Sequence, residues 1–494
     1  MAAQDTPDSA RPKMLGPTSP ASVCCLALAA LLGGDKVAYP DNPAYDASLA
    51  SYFSAQQESI RPACVILPQT ATDVSDTIKI LAKDTANGLC QFAIRSGGHA
   101  SWAGASNIAG GVTIDLRSLN SVDVDADGKV VRVGPAATWH AVYKKLDPLG
   151  RSVAGGRIAS VGVGGLTLGG GISFLSPQHG WTCDTVVNFQ VVLSNGAIVD
   201  ANSCENTDLF FALRGGGKNF GIVTRIDLKT FEQSLFWSAS LVYDTSVRDA
   251  NIKEFVRLST SKDYDEHASF LLSFVYIGSM GASLIANTLQ YTKAVDNPPF
   301  YQNLLALPTL QASTGLKSMA TLSLEGEAMV PKGSRSLYRT HTLVSTEDVL
   351  QAVNAAWSEA VSAIRNVSGI SWVLSFDPLP PAFYARDAGS NALGLTGRDG
   401  ATLLVALLDA RWSNETDDEI VSSTAKTLFD NIKKEAQSLG AYDPFIYLNY
   451  AEPDQNPIGT YGEESVQRLN AVRRRVDAAG VFTNQVPGYQ VPSV

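Results

Sequence analysis

The chain has 494 residues, 45% hydrophobic and 17% charged, with 41 glycines and a net charge of −10. That length exceeds one compact core and predicts two or three domains of a turn-rich globular enzyme. The acidic balance argues against a nucleic-acid partner, and no apolar run is long enough to span a bilayer. A soluble chain is expected.

Residues 1–20 read as an extension with no basic region leading into an apolar stretch. Residues 23–32 (VCCLALAALL) predict a helix packed on the core rather than a cleaved signal. None of the six cysteines forms a CxxC pair, so no metal site is expected. A bridge from Cys24 or Cys25 to Cys64 makes sense in a secreted protein, and the sequons at Asn366 and Asn414 lean the same way. The N-terminus favours the cytoplasm. The compartment stays open.

From Arg61 the texture is regular. Residues 72–81 predict a capped amphipathic helix, and 92–95 a short buried strand entering a glycine turn. Residues 112–116 and 130–134 predict strands, with Asp127-Gly128 as a hairpin turn between them. A helix over 137–146 follows, then a hairpin of 189–193 and 197–199 turned by Asn195-Gly196. Beyond about 235 come apolar strand-like runs (269–277, 401–410) and an amphipathic helix over 346–365. This predicts an antiparallel sheet covered by helices. Residues 377–400 read as a long loop and a lid candidate. A strand over 446–450 and a helix over 463–478 close the chain. The mixture is α+β.

Three glycine turns stand out. Arg95-Ser-Gly-Gly-His99 follows a strand, and successive backbone amides in such a turn form a nest for a pyrophosphate. Residues 155–171 (GGRIASVGVGGLTLGGG) contain no Rossmann spacing, yet suit a backbone lying close to a flat or phosphorylated ligand. Arg214-Gly-Gly-Gly-Lys-Asn-Phe-Gly-Ile-Val-Thr224 is the third. Together they suggest one extended dinucleotide threaded through one lobe.

These motifs, with Tyr447-Leu-Asn-Tyr450, resemble the berberine-bridge-enzyme-like branch of the vanillyl-alcohol-oxidase flavoproteins, in its fungal form. The resemblance implies a two-lobed fold. An FAD-binding lobe (21–235) of two α+β subdomains is joined by a substrate lobe (236–435), and segment 436–494 returns to the first. It implies FAD bound by Arg95, Ser96, Gly97, Gly98, His99, Ala100, Val161, Gly162, Gly165, Leu166, Gly169, Gly170, Gly171, Gly221, Ile222, Val223, Tyr447 and Asn449. His99 would carry the flavin covalently. Ile158 stands where doubly linked members have cysteine, so a single link is expected. Val161 is short enough to leave room for O₂ as electron acceptor.

In that family the cofactor carries the redox chemistry while a protein base takes a proton. Tyr447 and Asn449, on one side of the expected strand, are the first candidates, with Asp377 behind them. Glu325, Glu327 and Arg339 are weaker, each more readily a paired residue. His140 and His179 are expected to pack near the flavin lobe, and His267 and His341 carry no motif. The expected function is a monomeric FAD-dependent oxidase of a small or medium organic substrate in secondary metabolism. A carbohydrate oxidase and a flavoprotein cyclase or isomerase are the alternatives.

Overall fold

A computed structural model describes residues 20–83, 90–398 and 400–493, so the extension lies outside the described residues apart from the backbone of Pro20. Helix Pro20–Leu32 matches the expected packed helix: Leu28 is buried, and two disulfides pin it, Cys25–Cys64 and Cys24–Cys90. The first bridge was one of the two anticipated. The second was not, because its partner Cys90 is distant in sequence.

The first sheet of the flavin lobe is short and buried. Strands Cys64–Ile66 and Phe92–Arg95 both run parallel to Val112–Asp115 between them. Helix Ala71–Leu81 makes the crossover, its first turn closed by a reciprocal Thr70–Asp73 cap. The hairpin expected between the 112–116 and 130–134 strands does not form. The Asp127-Gly128 turn instead joins Val122–Val124 to Val130–Val133, in a second sheet of five antiparallel strands. The Asn195-Gly196 hairpin forms as expected, with Gly196 left-handed at φ 82°.

The second lobe is an eight-stranded antiparallel sheet. Its centre comprises Ala268–Ile277, Ser371–Leu379, Leu403–Trp412 and Arg335–Val344. Period-two alternation sends Trp372, Leu374, Phe376, Leu404, Ala406 and Leu408 into a core beneath helices Glu347–Ile364 and Asp418–Ser438. Leu379, Leu403 and Val405 point the other way, into the core of the flavin lobe. The opposite face of this sheet therefore meets the glycine loops.

Two expectations fail here. Asp377 does not open a loop; it lies inside strand Ser371–Leu379. The segment after it is no free lid either. Arg214 grips Ser390 through its carbonyl and hydroxyl, Asn391 donates to Asp184, and Leu393 is buried. The strand expected over 446–450 is also absent. Tyr447 is extended and Leu448–Tyr450 is one 3₁₀ turn, because no neighbouring strand pairs with it. The chain then returns through helix Glu463–Val476 to the first sheet, where the Gln485 carbonyl accepts from the Phe92 amide.

Candidate active site

The glycine turn at residues 95–99 lies where two glycine loops abut. A Cβ on Gly97 would sit 2.6 Å from the Gly162 nitrogen and 2.7 Å from its Cα, so only glycine allows this approach. Among the described residues, none of the amides from Gly97 to Ala103 donates to a protein acceptor. A row of backbone amides without protein acceptors suits an anion. Gly165 faces open space, with nothing within 4 Å of its missing Cβ. An unpaired amide row beside an open glycine wall fits the pyrophosphate and flat ring of FAD.

Arg95 does not face that cradle. Its guanidinium is buried over the Tyr52 ring, bonded to Ser48 and Ser51 and paired with Asp115, so it holds the turn from behind. Ser96 is likewise occupied, donating to the Pro135 carbonyl. His99 stacks on Phe53 with ring centres 4.0 Å apart, and its Nε2 lies 3.2 Å from the Ser160 hydroxyl. Burial pushes its imidazole down to about 4, leaving it neutral at ordinary pH. Val161 is half-buried against the flavin-lobe core. The side chains of Ile222 and Val223 are buried in core clusters, and a Cβ on Gly221 would strike Val191 at 2.5 Å. These three pack strand Ile222–Lys229 onto its neighbour.

Tyr447 and Asn449 do come together, through a turn rather than a strand. The Asn449 side-chain amide donates to the Tyr447 hydroxyl at 3.0 Å and to the Leu166 carbonyl at 3.0 Å. The Gly171 amide donates to the same hydroxyl at 3.1 Å. A Cβ on Gly169 would overlap Asn449, and Gly170 and Gly171 are left-handed at φ 106° and 90°. The pair thus clasps the 166–171 glycine wall. Tyr447 is buried, and burial pushes its phenol well above the usual tyrosine range.

The neighbouring Tyr450 is differently placed. It is half-buried, its ring perpendicular to those of Tyr447 and Tyr338. Arg157 donates to its hydroxyl at 2.7 Å, and the same guanidinium forks onto Asp377 at 2.5 and 3.1 Å. Burial pushes Tyr450 up to about 12, with Arg157 the largest opposing influence. The sequence reading did not assign Arg157, although it is the only charged residue in 155–171, nor Tyr450, although its motif was quoted. Beyond it, Tyr338 lies against Arg411 and Asp409, which form an ion pair on the same sheet face.

The remaining candidates are paired elsewhere. Glu325 meets Lys317 at the surface, Arg339 forks onto Asp454, and His267 bonds Thr292. His179 stacks on Phe231, His140 approaches Ser323, and His341 sits between Phe429 and Tyr442. Glu327 is the exception, accepting from both the amide and the hydroxyl of Ser160.

An FAD binding domain family matches residues 62–202, the stretch that contains the first two glycine loops. The FAD-dependent monooxygenase drtC of Aspergillus calidoustus is 34% identical over 470 residues, 94% of this chain and 89% of that protein. The chain belongs to the family of these fungal FAD-dependent enzymes. Like its relatives in that family it is an FAD-linked oxidoreductase. BBE-like 1 from Physcomitrella patens superposes with a TM-score of 0.74 at 20% identity, covering 95% of this chain and 98% of that one, which shows the shared fold. Oligopeptidase PhomG' of Diaporthe leptostromiformis is 45% identical over 471 residues, 94% of this chain, but the chain spans only 37% of that protein's length.

Proposed function

We propose that this flavoprotein is an oxidase that removes two electrons from a hydroxyl-bearing small or medium organic molecule and passes them to O₂, as a tailoring step in fungal secondary metabolism. The observation that carries the reading is the Tyr450–Arg157–Asp377 chain, which places one half-buried phenol against a fixed cation beside the glycine wall. Bound FAD supplies the two-electron acceptor. The amides from Gly97 to Ala103 and the wall around Gly165 would hold it, and His99 would link to it covalently and alone, since Ile158 offers no thiol.

The protein's own task is to take the substrate proton. We assign that to Tyr450 rather than Tyr447. Tyr447 already accepts two hydrogen bonds and is buried, whereas Tyr450 has a cation bonded to its oxygen, which stabilises the phenolate. Asp377 acts through Arg157, fixing the fork so that it faces Tyr450. With Tyr450 near 12, turnover should climb with pH across the neutral range.

The inner sheet face supports a flat, largely apolar substrate rather than a sugar. It presents half-buried Leu271, Val275, Val373 and Leu407 with a Ser273–Ser375 hydroxyl pair, and no row of aromatic rings. The two disulfides favour an oxidising compartment over the cytoplasm.

The test is anaerobic reduction by candidate phenols and alcohols, comparing wild type with Tyr450→Phe and Tyr447→Phe. Loss of a general base should slow Tyr450→Phe by about 10²–10⁴-fold, with a smaller effect at Tyr447. An unchanged Tyr450→Phe would remove the assignment. Stoichiometric hydrogen peroxide, with no isotopic oxygen entering the product, separates an oxidase from a monooxygenase and from a redox-neutral cyclase.

A further inference from the structure

A side-chain relay from the substrate lobe reaches the back of His99. Ser160 Oγ lies 3.2 Å from His99 Nε2 and donates to Glu327 Oε2 at 2.5 Å, while the Ser160 amide donates to the same oxygen at 3.0 Å. Glu327 sits on helix Met319–Ala328, which is seated firmly on the 157–160 segment. A Cβ on the adjacent Gly326 would come within 2.8 Å of the Arg157 carbonyl oxygen. The Ala159 amide also donates to the Ser323 carbonyl, one turn earlier in that helix. The carboxylate is therefore placed by backbone packing, not by a flexible reach.

We infer that Glu327 and Ser160 are positioning residues for covalent flavin attachment, fixing His99 as its Nε2–H tautomer and drawing off that proton as Nδ1 bonds to the cofactor. The inference rests on the covalent reading proposed above. Its logic is one of hydrogen-bond direction. A serine hydroxyl has a single proton, and here the carboxylate takes it. The oxygen's remaining lone pair faces Nε2, so Nε2 must carry hydrogen and Nδ1 keeps its lone pair as the nucleophile. Phe53 holds the ring plane, which leaves the tautomer as the remaining variable.

The balance of the step shows why a carboxylate is needed. The bond formed joins Nδ1 to the 8α-carbon of the isoalloxazine; the bond broken is one C–H of that methyl group, whose proton leaves to solvent. The electron pair enters the flavin and is passed to O₂, which departs as hydrogen peroxide with two protons. Alkylated at Nδ1, the ring is a cation unless the Nε2 proton also leaves. The charged groups facing His99 are Glu327, which favours that cation, and Lys332 and Arg411, which oppose it. Passing the proton through Ser160 to Glu327 avoids a buried charge beside two others of the same sign.

The experiment reads attachment directly. Each variant is purified with its flavin, incubated with excess FAD in air, and acid-denatured at intervals. Bound flavin is then measured by protein-band fluorescence and intact mass. Wild type should be fully attached. Glu327→Gln, which keeps the shape but loses the charge, should attach at least about tenfold more slowly at neutral pH, the low end of a lost proton acceptor. Ser160→Ala should behave likewise. Both should still hold FAD without the bond and melt at the wild-type temperature. Ser160→Thr and Glu327→Asp should recover most of the rate. Raising the pH should speed Glu327→Gln while leaving wild type flat, a response that lost packing alone does not give. Attachment of Glu327→Gln and Ser160→Ala at the wild-type rate overturns the relay and leaves the covalent reading standing. Acid release of the wild-type flavin overturns both.

Discussion

The glycine loops of the flavin lobe and the inner face of the eight-stranded sheet meet at one site but are built on different principles. The loops work through backbone: Gly97 and Gly162 touch, Gly169 makes room for Asn449, and the amides from Gly97 to Ala103 find no acceptor among the described residues. The sheet works through side chains projecting from a regular ladder, so Asp377, Asp409 and Arg411 could be exchanged without disturbing the strands that carry them. A backbone site tolerates almost no substitution, and therefore leaves a motif. A side-chain site on a generic sheet leaves none, and it is there that substrate choice resides.

The largest expected effect comes from breaking the backbone half. In Gly97→Ala the new methyl meets backbone atoms that cannot rotate away, at 2.6 Å and 2.7 Å. Overpacking of this kind costs about 1–3 kcal/mol. It would also push apart the two loops that line the cradle. We expect loss of bound flavin and a clear fall in melting temperature. Gly165→Ala is the contrast, because among the described residues nothing beyond its own helix turn lies within 4 Å of its methyl. The flavin-free protein should melt normally while loading less FAD. If both variants lose stability equally, the distinction between a glycine for packing and a glycine for ligand space fails.

Next in size is a test of the side-chain half. Arg157→Lys keeps a cation but cannot both fork onto Asp377 and reach Tyr450. We expect anaerobic reduction to slow about tenfold to a hundredfold, part of the full effect of a general base, with FAD binding and melting temperature near wild type. Loss of flavin in this variant would place Arg157 in the cradle instead.

The same contrast explains what was legible in the sequence. Arg95-Ser-Gly-Gly-His99 and the 155–171 run were readable because left-handed turns and close approaches demand glycine whatever surrounds them. Strands and helices with clear periodicity were placed within a residue or two, as at Glu347–Ile364 and Ala268–Ile277. The 446–450 segment misled because alternating apolar residues imply a strand only when a partner strand exists, and pairing is a property of the whole fold. The 377–400 loop looked free because its composition says nothing about Arg214, far away in sequence, which holds it down. Tyr450 escaped assignment for a similar reason. Its distinction from Tyr447 is the cation beside it, supplied by a residue nearly three hundred positions earlier.

A smaller effect probes the seam between the halves. Val161 is half-buried, and its carbonyl accepts from the Trp139 amide, so its backbone is fixed while its side chain alone can vary. Leucine adds a methylene in a close-packed wall beside His99. Val161→Leu should slow reoxidation of the reduced protein by O₂ severalfold while reduction by substrate stays near wild type. Mixing anaerobically reduced protein with oxygenated buffer measures it. A wild type that takes many minutes to reoxidise would make the protein a dehydrogenase with another acceptor.

The smallest effect concerns stability and lies just past the site, at Glu452. One carboxyl oxygen there is buried without a hydrogen-bond partner among the described residues, and burial pushes the acid up to about 7, with Arg339 opposing the rise and Asp454 adding to it. The folded protein thus holds this proton more tightly than the unfolded chain, whose glutamate ionises at about 4.3. Between those values the folded state binds more protons, so this group's contribution is intact below the unfolded value and is lost as pH rises through about 7. Glu452→Gln mimics the protonated acid and removes the titration. Variant and wild type should melt together near pH 4.5, and above pH 7 the variant should be the more stable, by about 1–3 °C in a chain of this size. Comparing the two proteins at each pH cancels every other titrating group, including Asp184, which burial pushes up to about 6. A gap that stays constant from pH 5 to pH 8 would mean that Glu452 finds a partner in solution and is already ionised in the fold.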